Sequence, residues 1–373
     1  MGNEVLGRAA RAAGARAMFG YPISPSSEIM HFWAGEAVSE QGKKDRIICT
    51  QAEDEGGAGF MMIGSVLVGT RAFTATAGPG HVIMQDALSM AEAMRLPVVV
   101  YVMQRGGPST STVIYSQSEV NLACFGGNGN GYRVVYSPAT LQERYDYGIK
   151  VFNVAWKYRF PTFLLGDGYL AKMMGEVELY APEERGIAIE PTEPYLLEDK
   201  RVRELEQVVP SPELQIRRVG GVEYACLRNC LNLEEETLAV NMEIKEAFDK
   251  AAVEIVEFEE YGPKDADTLI VAHGIVTNAA KEAVDTLKEK GISARLFRPI
   301  TLRPFPEEQL RQAAKGVKRI VVAESAIAQL SRLVAYALRG TDSAPMAELS
   351  RPSIGIVPRE IIEAVMSARL TYV

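Results

Sequence analysis

The sequence predicts an α/β fold of two units, a parallel sheet between helix layers and then a smaller α/β unit. Three observations predict it. Near-continuous apolar runs such as Pro97-Val98-Val99-Val100-Tyr101-Val102-Met103 imply strands buried on both faces, as in a parallel sheet covered by helices. Such runs alternate with helix-length segments through the first part of the chain and again after about residue 264. Between them, from about Leu179 to Pro263, the chain turns charged and irregular. The predicted division is 1–178, a connector at 179–263, and 264–373.

Asn3–Ala13 reads as a helix and Ala15–Phe19 as a strand, followed by a Pro/Ser-rich turn at Tyr21–Ser27. Ser26 or Ser27 suits the cap of the next helix, with Glu28 in its first turn favoured by the helix dipole. Next come strand Arg46–Thr50, helix Gly56–Val68, strand Ala72–Thr76, the Gly78-Pro79-Gly80 turn and helix Val82–Met94. Strands Pro97–Met103, Arg133–Tyr136 and Thr162–Leu165 complete the first unit, helix Leu141–Lys157 separating the last two. The connector ends in a long helix around Leu233–Phe258, packed on the outside or against a partner. Strand Thr268–Ala272, helix Val276–Lys290, strand Ala294–Pro299, helix Glu307–Ala314, strand Arg319–Ala323, helix Ala326–Leu338, strand Ser353–Val357 and helix Arg359–Ala368 form the second unit. Leu302-Arg303-Pro304-Phe305-Pro306 reads as a rigid bend before a helix.

Composition narrows the function classes. The 373 residues carry 40 Lys+Arg against 48 Asp+Glu, a net charge of −8, which argues against nucleic acid as the main partner. No apolar stretch approaches the ~18 residues of a membrane span. Met1–Leu6 lacks the apolar core of a signal peptide, so a soluble cytoplasmic protein is expected. Four Cys in so long a chain do not make a disulfide framework. Cys49 and Cys124 stand alone, and Cys226 and Cys230, on an expected helix, are either half-buried thiols or a redox or intersubunit pair. His31, His81 and His273 are too scattered for a local metal motif, so no metal site is expected and a cofactor-borne chemistry is favoured.

Two glycine motifs fail on inspection. Gly274 follows a strand and precedes a helix but lacks the G-x-G-x-x-G that admits a pyrophosphate. Gly166-Asp167-Gly168 has the start of a diphosphate–metal motif, yet no Asn occurs between Tyr169 and Lys200, and a capping role for Asp167 is simpler. More telling is Glu53-Asp54-Glu55-Gly56-Gly57-Ala58-Gly59, at the end of what reads as a buried strand. The carboxylates suit the positive end of a helix dipole. Each glycine, however, weakens a helix by about 1 kcal/mol relative to Ala, so propensity did not choose the glycines. Small residues there permit close approach of a flat ligand or another subunit. A carboxyl in this place can hydrogen-bond a heterocycle nitrogen.

Gly20-Tyr21-Pro22-Ile23-Ser24-Pro25-Ser26-Ser27-Glu28, Glu53-Asp54-Glu55, Thr74-Ala75-Thr76-Ala77-Gly78-Pro79-Gly80 and Gln104-Arg105-Gly106-Gly107-Pro108-Ser109-Thr110 occur in that order. Together with Leu302–Pro306 they resemble the α subunit of 2-oxoacid:ferredoxin oxidoreductases, nearest the 2-oxoglutarate and 2-oxoisovalerate branch. The resemblance covers almost the whole chain, most loosely at about 180–262.

The resemblance implies a pyrimidine-type domain for thiamine diphosphate plus a transketolase-C-terminal-like domain. It implies a β subunit carrying the diphosphate domain, Mg2+ and a [4Fe-4S] cluster, with γ and ferredoxin-like subunits besides. The implied reaction takes a 2-oxoacid and CoA to acyl-CoA, CO2 and low-potential electrons. Glu55 matches the carboxylate on the aminopyrimidine nitrogen that favours the imino tautomer and so the ylid. Pro25, Gly78 and Pro79 match further cofactor contacts. Ser24 stands at a Thr position whose hydroxyl faces the keto-acid, and Arg105 matches the arginine for the substrate carboxylate. The branch on 2-oxoglutarate continues with a basic residue where this chain has Tyr115 after Ser111-Thr112-Val113-Ile114. A monocarboxylic 2-oxoacid with a branched or aromatic side chain, lined by Tyr115, is therefore expected. Two other functions remain open: half of a non-oxidative thiamine-dependent decarboxylase, or a non-catalytic scaffold subunit.

Overall fold

The computed structural model describes residues 1–192, 215–219, 222–226 and 233–367. The apolar runs become strands β1 Ala17–Gly20, β2 Ile48–Gln51, β3 Ala72–Thr76, β4 Val99–Gln104, β5 Val134–Tyr136 and β6 Thr162–Asp167. A hairpin follows, β7 Gln215–Val219 with β8 Val222–Cys226, and then β9 Phe258–Tyr261, β10 Thr268–Val271, β11 Ala294–Pro299, β12 Thr301–Arg303, β13 Arg319–Glu324 and β14 Met346–Ser350.

The first sheet has the order β12-β5-β6-β4-β3-β1-β2 and is parallel except for β12 against β5. Every residue of β3, β4 and β6 is buried, as their apolar runs require. β2 corrects the expectation of a buried strand at Arg46–Thr50. It is the edge strand, starts at Ile48 and leaves Ile48 and Gln51 exposed, because only β1 flanks it. The expected Val82–Met94 helix is two, Pro79–Ile83 and Gln85–Ala93, with Met84 between them. Ser26 occupies a cap position, but its hydroxyl donates to the Ile23 carbonyl (2.8 Å) instead of accepting from the helix.

The second sheet has the order β14-β13-β10-β11-β9, parallel except for β9 against β11. Its outer strand lies at Met346–Ser350, not at Ser353–Val357. Pro352 has no N–H to pair, and Ser353 takes a left-handed φ of 63°, so neither suits a strand. The final helix is Pro358–Met366, and residues 368–373 lie outside the described residues. The expected helix around Cys226 is also corrected: Cys226 ends β8, paired with Gln215, while Cys230 is not among the described residues.

The two units are joined by more than the chain. Leu302-Arg303 is not simply a bend, because Thr301 and Arg303 pair with β5 and extend the first sheet. The Arg303 guanidinium lies 5.1 Å from the ring centres of both Phe125 and Phe248, and its Nε donates to the Gly131 carbonyl (2.7 Å). One apolar cluster holds Val102, Phe163 and Leu165 of the first sheet with Leu269, Phe297 and Val322 of the second. The long helix Glu234–Ile255 buries Ile244, Phe248, Ala251 and Ile255, one helical face, against the first unit. Phe248 packs on Tyr132 and Phe160, and burial of such a ring contributes roughly 1.5–3 kcal/mol. The connector's helix thus covers this protein's own core.

Candidate active site

The site forms where the parallel strands end. β2 runs into Asp54, whose carboxylate accepts from the Gly57 N–H (2.7 Å) and opens the helix Glu55–Leu67. Glu55, the next residue, is only 5% exposed, and burial pushes its carboxyl above the usual carboxylate range. Among the described residues no cation forms an ion pair with it. Its position depends on Gly80: a Cβ there would come within 2.6 Å of Thr76 Oγ1 and closer still to Glu55 Oε1. The Thr76 hydroxyl beside them is buried and without a hydrogen-bond partner.

Gly78, at the end of β3, has φ +50°, a conformation that favours glycine. The Arg105 side chain crosses it, so a Cβ on Gly78 would lie 2.7 Å from Arg105 Cδ. Arg105 follows β4 and is 8% exposed, with Nη1 donating to the Ser24 carbonyl (3.0 Å) and Nη2 to the Ser111 carbonyl (3.3 Å). Its Nε is buried and unpartnered. Ser24 itself is exposed, and Pro25 behind it is buried, its carbonyl held by Asn3 Nδ2 (2.6 Å). Asn3 also holds Glu28, which pairs with Lys172. Pro79 is the first residue of the helix Pro79–Ile83.

Contacts therefore link Ser24, Arg105 and Gly78, and, through Pro79 and Gly80, Glu55. Tyr115 lies elsewhere. Its ring stacks on Tyr169 (centroids 5.0 Å, 17° between planes) and lies against Gly355. It lines a cleft of about 920 Å³ between the two units, with Ile114, Ile275, Val276 and Ile354, which none of Ser24, Glu55 or Arg105 lines. The loop between them is tied back by Gly106 N–H to the Thr112 carbonyl (2.8 Å).

Sequence reasoning missed Glu119, which is buried among these groups. Its carboxylate accepts from Gly78 N–H (2.8 Å) and Arg105 N–H (3.0 Å), and lies 2.9 Å from His81 Nδ1. A signal was present: Glu119 is the only charged residue between Arg105 and Arg133. Asp167 caps the short helix after β6 by accepting from Leu170 N–H (2.9 Å), and burial raises its carboxyl to about 6.

The profile described as "Pyruvate flavodoxin/ferredoxin oxidoreductase, thiamine diP-bdg" matches residues 8–251, and "Pyruvate:ferredoxin oxidoreductase core domain II" matches 266–352. The chain belongs to the 2-oxoacid:ferredoxin oxidoreductase family. It is 32% identical over 330 residues to the ketoisovalerate oxidoreductase subunit VorB of Methanothermobacter marburgensis, covering 88% of this chain and 86% of that one. The 2-oxoglutarate synthase subunit KorA of Methanocaldococcus jannaschii is 32% identical over 340 residues, with 88% of each covered. In fold it resembles a 2-oxoglutarate:ferredoxin oxidoreductase from Magnetococcus marinus (TM-score 0.79, 23% identity), matching 98% of this chain but spanning only 64% of that one. A split-gene transketolase is similar too, with a TM-score of 0.57 at 15% identity and coverage of 98% and 96%. The α/β architecture predicted from the apolar runs is thus shared with these solved structures. As a member of this oxidoreductase family, the chain carries residues that fit thiamine diphosphate. A nearly buried acid of raised pKa and the orphaned Thr76 hydroxyl offer polar partners to a heterocycle.

Proposed function

We propose that this chain is the α subunit of a heteromeric 2-oxoacid:ferredoxin oxidoreductase that holds the aminopyrimidine side of thiamine diphosphate. The complete enzyme converts a monocarboxylic 2-oxoacid and CoA to acyl-CoA, CO2 and reduced ferredoxin. The observation that carries this reading is the packing of Glu55 and Arg105 on Gly80 and Gly78, two residues apart at the start of one short helix. When bound, thiamine diphosphate supplies the electron sink for decarboxylation. Glu55, Pro25, Gly78 and Pro79 would hold its pyrimidine side, Glu55 accepting or donating the proton at the ring nitrogen. Arg105 binds the substrate carboxylate, and the Ser24 hydroxyl faces the keto group. The partner β subunit carries the diphosphate domain, Mg2+ and [4Fe-4S], with γ and ferredoxin-like subunits completing a cytoplasmic assembly. Region 1–178 serves the cofactor, 264–373 is the transketolase-C-terminal-like domain, and 179–263 connects them. No described helix is long and apolar enough to cross a membrane.

Substrate choice follows from the Gly106–Tyr115 loop. No Lys or Arg occurs in it to meet a second carboxylate. The loop holds Arg105 at the Ser111 carbonyl and turns Ile114 and Tyr115 to the cleft between the units, as apolar and aromatic surface for the far end of the side chain. A branched-chain or aromatic 2-oxoacid is the substrate this favours. The test is turnover of the complex, reconstituted with its partners, on a panel of 2-oxoacids with CoA and ferredoxin. Branched or aromatic substrates should exceed 2-oxoglutarate in kcat/KM by about tenfold or more. Preference for 2-oxoglutarate overturns the assignment of Tyr115, and turnover by the isolated chain overturns the shared site. CO2 release without cluster absorbance would mark a non-oxidative decarboxylase.

A further inference from the structure

Two loops must stay in register for the carboxylate-binding arginine to work, the one after β3 and the one after β4. One oxygen of Glu119 accepts from a backbone N–H in each, Gly78 and Arg105. The other faces His81 Nδ1, three residues beyond Gly78. A carboxylate only accepts, so the proton of this bond belongs to His81 Nδ1. Glu119 is itself fixed from behind, its own N–H donating to Gln104 Oε1 (3.2 Å), the residue before Arg105. Glu119 and His81 are both buried, so water cannot replace these bonds.

We propose that Glu119 is a positioning residue that acts through Arg105. By clamping Gly78 to the start of the Arg105 loop, it holds the aliphatic part of Arg105 across the bare face of Gly78. The guanidinium is thereby delivered between the Ser24 and Ser111 carbonyls with Nε left unpaired. Without the clamp, Arg105 and Gly78 separate, and the guanidinium loses the backing that points it. The inference rests on the reading of Arg105 as the substrate-carboxylate ligand.

The test is a double-mutant cycle on the assembled enzyme with Glu119→Ala, Arg105→Ala and the double variant. KM for the 2-oxoacid and the Kd of an unreactive carboxylate analogue, by calorimetry, are both read. Glu119→Ala should raise both by roughly tenfold, with the smaller change in kcat. The double variant should be no worse than Arg105→Ala, because the clamp has nothing left to position. Additive effects, or a Glu119→Ala enzyme with unchanged analogue Kd, overturn the proposal. An Arg105→Ala enzyme with unchanged Kd instead overturns the reading of Arg105. Should Glu119→Ala fail to fold, Glu119→Gln serves. Its amide oxygen still serves both N–H groups, so the analogue Kd should stay within about twofold, while the 15N shifts of His81 report a changed bond at Nδ1. Weakened analogue binding in that variant with both N–H bonds intact would count against the clamp.

Discussion

The two parallel sheets put polar residues at the same topological place, the C-terminal ends of their strands, and use the carboxylates there oppositely. In the first sheet, Glu55 after β2 is held only by its own backbone N–H and pairs with no cation among the described residues, and Arg105 after β4 keeps a buried Nε without a partner. In the second, Glu324 at the end of β13 is wholly consumed, accepting N–H groups of Gln329, Leu330 and Ser331 at a helix start. His273, after β10, faces Ser137 Oγ through Nδ1 (2.8 Å) and its carbonyl accepts from Gln117 Nε2 (2.8 Å), while its buried Nε2 has no partner. Crevices at strand ends are where open α/β sheets bind ligands. The contrast teaches that the position alone is not a site. What separates the two carboxylates, Glu55 and Glu324, is how many N–H groups already occupy them.

Three measurements bear on this contrast. The largest effect is expected for Glu55→Gln, which removes a titrating group but keeps the shape. Turnover of the complex should fall by about 10²–10⁴-fold while the thermal midpoint holds. Wild-type turnover would erase the distinction between the sheets. Glu324→Ala should do the reverse, lowering stability by about 2–3 kcal/mol through unsatisfied buried N–H groups, with KM for the 2-oxoacid unchanged. Urea unfolding and steady-state kinetics check it.

The smallest effect concerns pH. Burial holds the His273 imidazole neutral, down to about 3 against an ordinary 6.5. Below the ordinary value the unfolded chain takes up a proton that the folded chain refuses, so stability falls as pH drops from about 6.5 towards 3. His273→Gln should flatten the urea midpoint across that window. An equally steep profile in the variant would show that His273 is not the acid-sensitive group of the second sheet.

Much of this was legible beforehand. Apolar runs located both sheets, and glycine-proline clusters marked the loops at Ser24, Gly78 and Arg105, because turn chemistry and burial periodicity act over a few residues. The errors share a cause. Nothing local marks β2 as an edge strand, because an edge position depends on which strand lies beside it. Ser353–Val357 was read as a strand although Pro352 and a left-handed Ser353 end the run before it.

The sequence alone carries most of the element types, the motifs of the family, and the chemical identity of the groups at the strand ends. These follow from local backbone preferences and from side-chain chemistry, which need no neighbour. Only the tertiary structure decided that β12 extends the other unit's sheet, and that Glu119 meets Gly78 across 41 residues. It also decided that Gln117 meets His273 across 156. Such pairings depend on strand order and on which loops end side by side, and no local periodicity encodes that.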